Sequence, residues 1–482
     1  MLNQSDYRAY HERMISGNKG TTAKDVMLVV LPSILSLHIL AGLQSHHLVP
    51  RTLGKHKIAA FFAEFFVVIM PSILSLTICS YNTATIPMFM CFAGPVLGLK
   101  WKISENRGRW SHIYAVFFNS RTFSNILSFK LPAKPRSYIT NFRAITNMLT
   151  VLAIFAVDFH IFPRRFAKTQ TFGFGVMDLG VGLFVIANAL VAPETDSSKS
   201  LSVPVLKTFL QSLPLVILGF GRLIMTAQVD YQKNVTEYGV HWNFFFTLAF
   251  TKVVSCIILK YVDRSTYAYG LMFVGLTVTH EAALQLGLQD WVFSNAPRHG
   301  IISANREGIA SNMGYVALYF GGIVLGRDLR SFDTFSMMGN MSMLERLLFV
   351  SIIFWSGTVA CEHTFGVSRR LANMGYILWV LAFTSTVIAF LLFIEIIVIL
   401  SKVVDERRFN KNVLFVPKIF EAINRNGLLF FLLGNVLTGM FNILVRTFTL
   451  NSVTSFVVIN IYMLTNCAAV AILQAWNFTL KL

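Results

Sequence analysis

Four stretches of this chain gather residue types able to move protons or hold anions. The first is Asp158-Phe-His160-Ile-Phe-Pro163-Arg164-Arg165-Phe166-Ala-Lys168, and the second runs from Tyr231 to Asn243 and contains Glu237, His241 and Trp242. The third is Ser303-Ala-Asn305-Arg306-Glu307-Gly308, and the fourth is Val367-Ser-Arg369-Arg370-Leu-Ala-Asn373. A carboxylate near a lysine, flanked by guanidinium pairs and a histidine, suits group transfer onto a hydroxyl. The carboxylate serves as general base toward the alcohol. The lysine stabilises a developing oxyanion or keeps the base ionised. Paired arginines match phosphate oxygens in bidentate fashion. No zinc-ligand spacing, phosphate-binding glycine loop or nucleophile-elbow motif occurs, and no bound cofactor is expected.

Each stretch also has a plainer role. Arg164, Arg165, Arg369 and Arg370 could anchor helix ends at lipid headgroups. Asp158 closes an apolar run, where an ion pair with an arginine or Lys168 would satisfy it. Glu237 could pair with Lys233, and His241 could sit as a satisfied interface histidine. Asn305 is placed to cap a following helix.

The elements that must position these residues are membrane helices. Of 482 residues, 55% are hydrophobic and only 13% charged, half the charge usual for a soluble domain. The 44 phenylalanines exclude disorder. A net charge of +18 invites a nucleic-acid reading, but the basic residues punctuate long apolar runs and form no single hydrophilic face. Continuous runs also exclude a β-barrel, whose strands alternate. The expectation is an all-α polytopic membrane protein, one integral membrane domain over 1–482. Thirteen spans are predicted, near 26–43, 58–80, 84–99, 144–158, 176–192, 205–227, 243–260, 267–288, 308–325, 344–361, 372–400, 428–445 and 453–475. The polar start lacks a signal-peptide core, so the first span is expected to direct insertion.

The four polar stretches fall on connections of one parity, so they share a membrane face. Charges at bilayer depth line cavities or pair with one another. Basic residues concentrate instead on the other face, in the connections 100–142 and 401–427. The positive-inside rule then makes the C-terminus cytosolic and the N-terminus and polar cluster lumenal. Taken alone, these residues describe a one-sided, anion-friendly cavity. They do not choose between a transferase and a lipid or small-anion transporter, or a non-catalytic subunit of a membrane complex.

A resemblance does choose. Ala156-Val-Asp158-Phe-x-Ile-Phe-Pro-Arg-Arg-Phe-Ala-Lys168 resembles the hallmark of the GPI-anchor inositol acyltransferases, the family of the fungal GPI-anchored wall transfer protein and the animal phosphatidylinositol-glycan class W protein. Met177-Asp178-Leu-Gly-Val-Gly, Thr236-Glu-Tyr-Gly-Val-His-Trp-Asn-Phe-Phe, Ala304-Asn-Arg-Glu-Gly-Ile and Val367-Ser-Arg-Arg-Leu-Ala-Asn fit the same family. So do Asn426-Gly-Leu-Leu-Phe-Phe-Leu-Leu-Gly-Asn and Thr438-Gly-Met-Phe-Asn. The likeness covers about residues 140–482 in order, and the first 140 only by hydropathy. It implies an endoplasmic-reticulum enzyme that transfers a fatty acyl chain, usually palmitoyl, from acyl-CoA to the inositol 2-hydroxyl of glucosaminyl-phosphatidylinositol. It makes Asp158 and Lys168 the catalytic pair, with His241 the alternative base. Arg164, Arg165, Glu237, Trp242, Asn243, Asn305, Arg306, Glu307, Arg369 and Arg370 are then expected to contact substrate. One departure is His160, where the family usually has proline. Another motif, the glycosylation sequon at Asn234, lies too close to the membrane for use.

Overall fold

The computed structural model describes residues 17–45, 57–93, 136–196, 205–228, 235–403 and 416–479. Its main helices, in chain order, are α1 (Ala23–Ser45), α2 (Lys57–Leu76), α3 (Ser137–Ala156), α4 (Leu179–Ala189), α5 (Val205–Gln228), α6 (Val235–Tyr238) and α7 (Phe244–Tyr261). There follow α8 (Thr266–Phe293), α9 (Arg306–Ser331), α10 (Met337–Thr364), α11 (Met374–Val403), α12 (Lys418–Arg425), α13 (Gly427–Leu444) and α14 (Ser452–Ala475). All but α4, α6 and α12 are long and apolar enough to cross a membrane, eleven among the described residues. No strand forms among them; one isolated bridge joins Thr21 to Phe174. The chain is an all-α polytopic membrane protein.

Two of the thirteen expected spans do not form full-length helices among the described residues. The 176–192 stretch yields only the eleven-residue α4. At 1.5 Å per residue it is about 16 Å long, about half a bilayer core. The acidic Asp178 precedes it and Pro193 follows it. The 84–99 stretch is helical over 85–93, and the rest lies outside the described residues. Residues 100–135 and 404–415 of the basic connections, with Lys233 and Asn234, also lie outside them.

Burial sorts the helices. The central α9 has 78% of its most apolar window buried, and α3 and α11 are nearly as enclosed, whereas α5 has 17%. The outer helices turn Phe220, Val278, Ile352 and Ile443 outward. That is the arrangement lipid permits, because only helices satisfy their own backbone there. Small residues on α9 let neighbours approach closely. At Gly314 an added Cβ would strike the carbonyl oxygen of Ala372. Ala372 itself has φ of 47°, in the left-handed region. The Val367–Asn373 connection is therefore pressed into the α9 surface.

That contact belongs to one end of the bundle, where all four polar stretches meet. Gly173 N–H donates to Val367 O (2.9 Å), and Val240 N–H to Ala304 O (2.9 Å). The opposite end is organised by different groups. There Ser137 Oγ donates to Glu395 (2.5 Å), and the Glu64 carboxylate accepts from Ile419 N–H at the start of α12 (3.0 Å).

Candidate active site

The connection from α3 to α4 carries both acidic and basic groups. Its course is pinned by Phe159, Phe162 and Phe166, all fully buried. Asp158 lies immediately past the end of α3 and is itself buried. Its Oδ2 accepts from Asn442 Nδ2 on α13 (2.6 Å). Aromatic rings surround this end: Phe155 stacks on Tyr462 at 4.0 Å and meets Phe441 edge-on at 5.4 Å. Arg164 turns back to donate to Val157 O (2.6 Å) and Phe159 O (3.0 Å) and lies over Phe448. Arg165 donates to Ser80 O. His160 is exposed and bonds Ser452 Oγ (3.1 Å).

Lys168 enters a different set of contacts. Its Nζ donates to Glu237 Oε2 on α6 (2.9 Å). The Arg369 guanidinium stands 3.9 Å from the other Glu237 oxygen, and its Nε donates to Asp178 Oδ1 (2.8 Å). The Asp178 carboxylate also accepts Thr169 N–H, at 3.1 and 3.2 Å. A chain of alternating charges thus runs Lys168, Glu237, Arg369, Asp178, joining three segments: the α3–α4 connection, α6 and the α10–α11 connection. Burial opposes ionisation of Glu237, yet the charges of Lys168 and Arg369 outweigh it and hold the carboxyl down to about 2. Burial would likewise lower Arg369, but Glu237 and Asp178 raise it, so it stays cationic.

A second charged group lies beside the first. Glu307 is fully buried at the start of α9. Arg298 grips it with two bonds (2.6 and 3.0 Å), and Arg370 approaches to 3.5 Å. Arg370 also donates to Gln170 O (2.7 Å) and lies over Phe293. Burial lowers it to about 10, despite the opposing pull of Glu307. Arg306 donates to Ala296 O and Ser294 O.

The third motif braces this assembly. Asn305 Oδ1 accepts the backbone N–H groups of His241 (2.7 Å) and Trp242 (2.9 Å). It makes no side-chain cap to α9, so the capping role expected of it is taken by a loop-to-loop brace. Asn243 caps α7 instead, accepting from Phe245 and Phe246 N–H. Trp242 Nε1 donates to Thr247 (3.0 Å). The His241 side chain is exposed.

Segments far apart in the sequence thus build one charged site from four stretches of sequence. The model for the family GWT1 matches residues 7–473. The chain belongs to the GWT1 family. It is 31% identical to the human glucosaminyl-phosphatidylinositol-acyltransferase PIGW over 467 residues, covering 87% of this chain and 88% of the relative. It is 30% identical to the Dictyostelium discoideum phosphatidylinositol-glycan biosynthesis class W protein, over 98% of this chain and 99% of that one. Against GPI-anchored wall transfer protein 1 of Schizosaccharomyces pombe it is 36% identical, over 68% and 70%.

Within this GWT1-family site the sequence expectations sort by contact. Lys168 and Glu237 pair directly, as do Arg370 and Glu307. Asp158 accepts a hydrogen bond from Asn442, and Lys168 donates one to Glu237, so the two expected catalytic groups have separate supports. Arg369 and Arg370 are too buried to snorkel. Asp178, Arg298 and Asn442 were absent from the expected site residues. Asp178 and Asn442 stood in family-like motifs, as an acid beginning an apolar run and as an amide in one. Nothing in the sequence around Arg298 marks it.

Proposed function

We propose that this chain is an O-acyltransferase of GPI-anchor biosynthesis. It moves a fatty acyl group, palmitoyl, from acyl-CoA to the inositol 2-hydroxyl of glucosaminyl-phosphatidylinositol in the endoplasmic-reticulum membrane. The observation that carries this reading is the match along nearly the whole chain to a relative named for glucosaminyl-phosphatidylinositol acylation. A buried carboxylate and a lysine at one end of the bundle support it.

In the proposed reaction Asp158 accepts the proton of the inositol hydroxyl, and the hydroxyl oxygen attacks the thioester carbonyl. The C–O ester bond forms, the C–S bond breaks, and the proton passes to the departing CoA thiolate. Asn442 orients the Asp158 carboxylate. Lys168, held by Glu237, stabilises the oxyanion. No acyl-enzyme forms on this route. The buried Arg369, bonded to Asp178, and Arg306, bonded to the Ala296 and Ser294 carbonyls, brace the loops. Contact with substrate phosphates falls to the more open Lys168 and Arg298. The site end faces the lumen.

The test supplies purified full-length protein with labelled palmitoyl-CoA and glucosaminyl-phosphatidylinositol. The expected product is inositol-acylated lipid. Substrate moving across a vesicle bilayer with no ester formed would overturn the reading in favour of a transporter.

A further inference from the structure

The segment ahead of α1 lies directly against the loop that carries Lys168. Gly17 N–H donates to Gln170 Oε1 (3.0 Å), and Gln170 N–H returns a bond to Asn18 O (3.0 Å). Thr21 N–H donates to Phe174 O (2.7 Å). Between these ties, the Asn18 side-chain amide donates to two successive carbonyls, Ala167 O (3.0 Å) and Lys168 O (3.1 Å). The approach leaves no space for a side chain at Gly173, where a Cβ would strike Lys19 O and φ is +125°. The far end of the segment is tethered too. Asp25, in the first turn of α1, accepts from Thr21 (2.9 Å), Thr22 (3.0 Å) and Thr83 (2.9 Å).

We propose that Gly17–Thr21 is a strap belonging to the active site, with Asn18 the positioning residue that sets Lys168. This rests on the reading of Lys168 as a group acting in acyl transfer. The lysine ammonium rides on a flexible four-carbon stem and is partly exposed. Its place against Glu237 is therefore defined only if its backbone is held. Two grips hold it. Asp178 takes the N–H of Thr169, and Asn18 supplies the donors for the carbonyls of Ala167 and Lys168, groups that must be satisfied. Without the Asn18 side chain the backbone ties at Gln170 and Phe174 remain, but the carbonyls of Ala167 and Lys168 lose their donors, and the backbone that carries Lys168 is set less firmly against the reacting atoms.

The experiment uses full-length detergent-purified protein with Asn18→Ala and Asn18→Asp. The aspartate keeps the acceptor for Gly20 N–H, a bond of 3.0 Å, and sets a carboxylate against the two carbonyls. Two readouts are taken. One is steady-state acyl transfer. The other is the rate at which formaldehyde and borohydride methylate Lys168, measured by peptide mass spectrometry with Lys418 as the internal reference. The expected result is a fall in kcat of about 10²-fold, with KM for both substrates within about twofold. Lys168 labelling should rise severalfold while Lys418 is unchanged. If kcat and Lys168 labelling both stay at wild-type values, the strap proposal is overturned. Faster Lys168 labelling with unchanged kcat supports the strap and overturns instead the catalytic reading of Lys168. If Asn18→Ala does not fold, Asn18→Asp alone decides by the same two readouts.

Discussion

Lys168 and Glu237 meet at 2.9 Å across 69 positions of sequence. The bond joins the α3–α4 connection to the short α6, so the lysine is placed by a group from the other side of the site. Glu237→Gln keeps the shape and removes the charge. Acyl transfer should drop by about tenfold or more through misplacement of Lys168. Folding stability should fall as well, because the buried Arg369 loses one of its two carboxylate neighbours. Kinetics and a denaturant titration on the same preparation check both.

The depressed Glu237 fixes a pH expectation. A carboxyl lowered on folding contributes stability that is complete above its unfolded value, about 4.3. That contribution fades only as pH falls toward the folded value of about 2. Across pH 5–8 Glu237 stays ionised and the pair intact. Any acid-side loss of activity in that range then belongs to another group. The pH–rate profiles of wild type and Glu237→Gln should have acid limbs at the same pH.

Replacing Asp158 by Ala or Asn should lower acyl transfer by at least about 10²-fold, the usual contribution of a positioned general base. Both variants should insert and purify normally, since Asn442 lies at the helix end and can re-orient. Retained activity in Asp158→Ala would remove Asp158 from the mechanism. Asn442→Leu should give a smaller fall, seen mostly in kcat.

The buried Arg369–Asp178 pair should behave as a structural bond. Arg369→Ala strands a buried carboxylate and should cost about 3–5 kcal/mol. Adding Asp178→Asn should restore part of that stability without restoring activity. Thermal melts of the single and double variants measure the recovery.

Gly314→Ala tests the close approach of α9 to the Val367–Asn373 connection. The new methyl meets the Ala372 carbonyl, and backbone must shift, at about 1–3 kcal/mol. Activity per folded molecule should fall as well, because Arg369 and Arg370 sit on the displaced connection.

Much of this molecule was legible in its residues. Apolar runs long enough to span a bilayer set the helices, since lipid leaves the backbone no other way to satisfy itself. Hydropathy did not show how short the helix in the 176–192 stretch is: only the eleven residues of α4 are α-helical, yet the stretch runs from Asp178, paired with Arg369 at the site, to Glu194, whose carbonyl accepts from Arg327 near the far end of α9. The parity of the connections put the four polar stretches on one face, and the hydrogen bonds between them bear that out.

Sequence alone therefore determined the class of protein, its family and the residue types gathered at the site, because composition and local motif carry that information directly. Only the tertiary structure decided partners. Glu237 takes Lys168, 69 positions away, Asn305 braces a loop rather than capping its helix, and Asn18 reaches a loop about 150 residues away. Each of these choices depends on which segments are packed together, and side-chain chemistry without that geometry admits several partners of equal affinity.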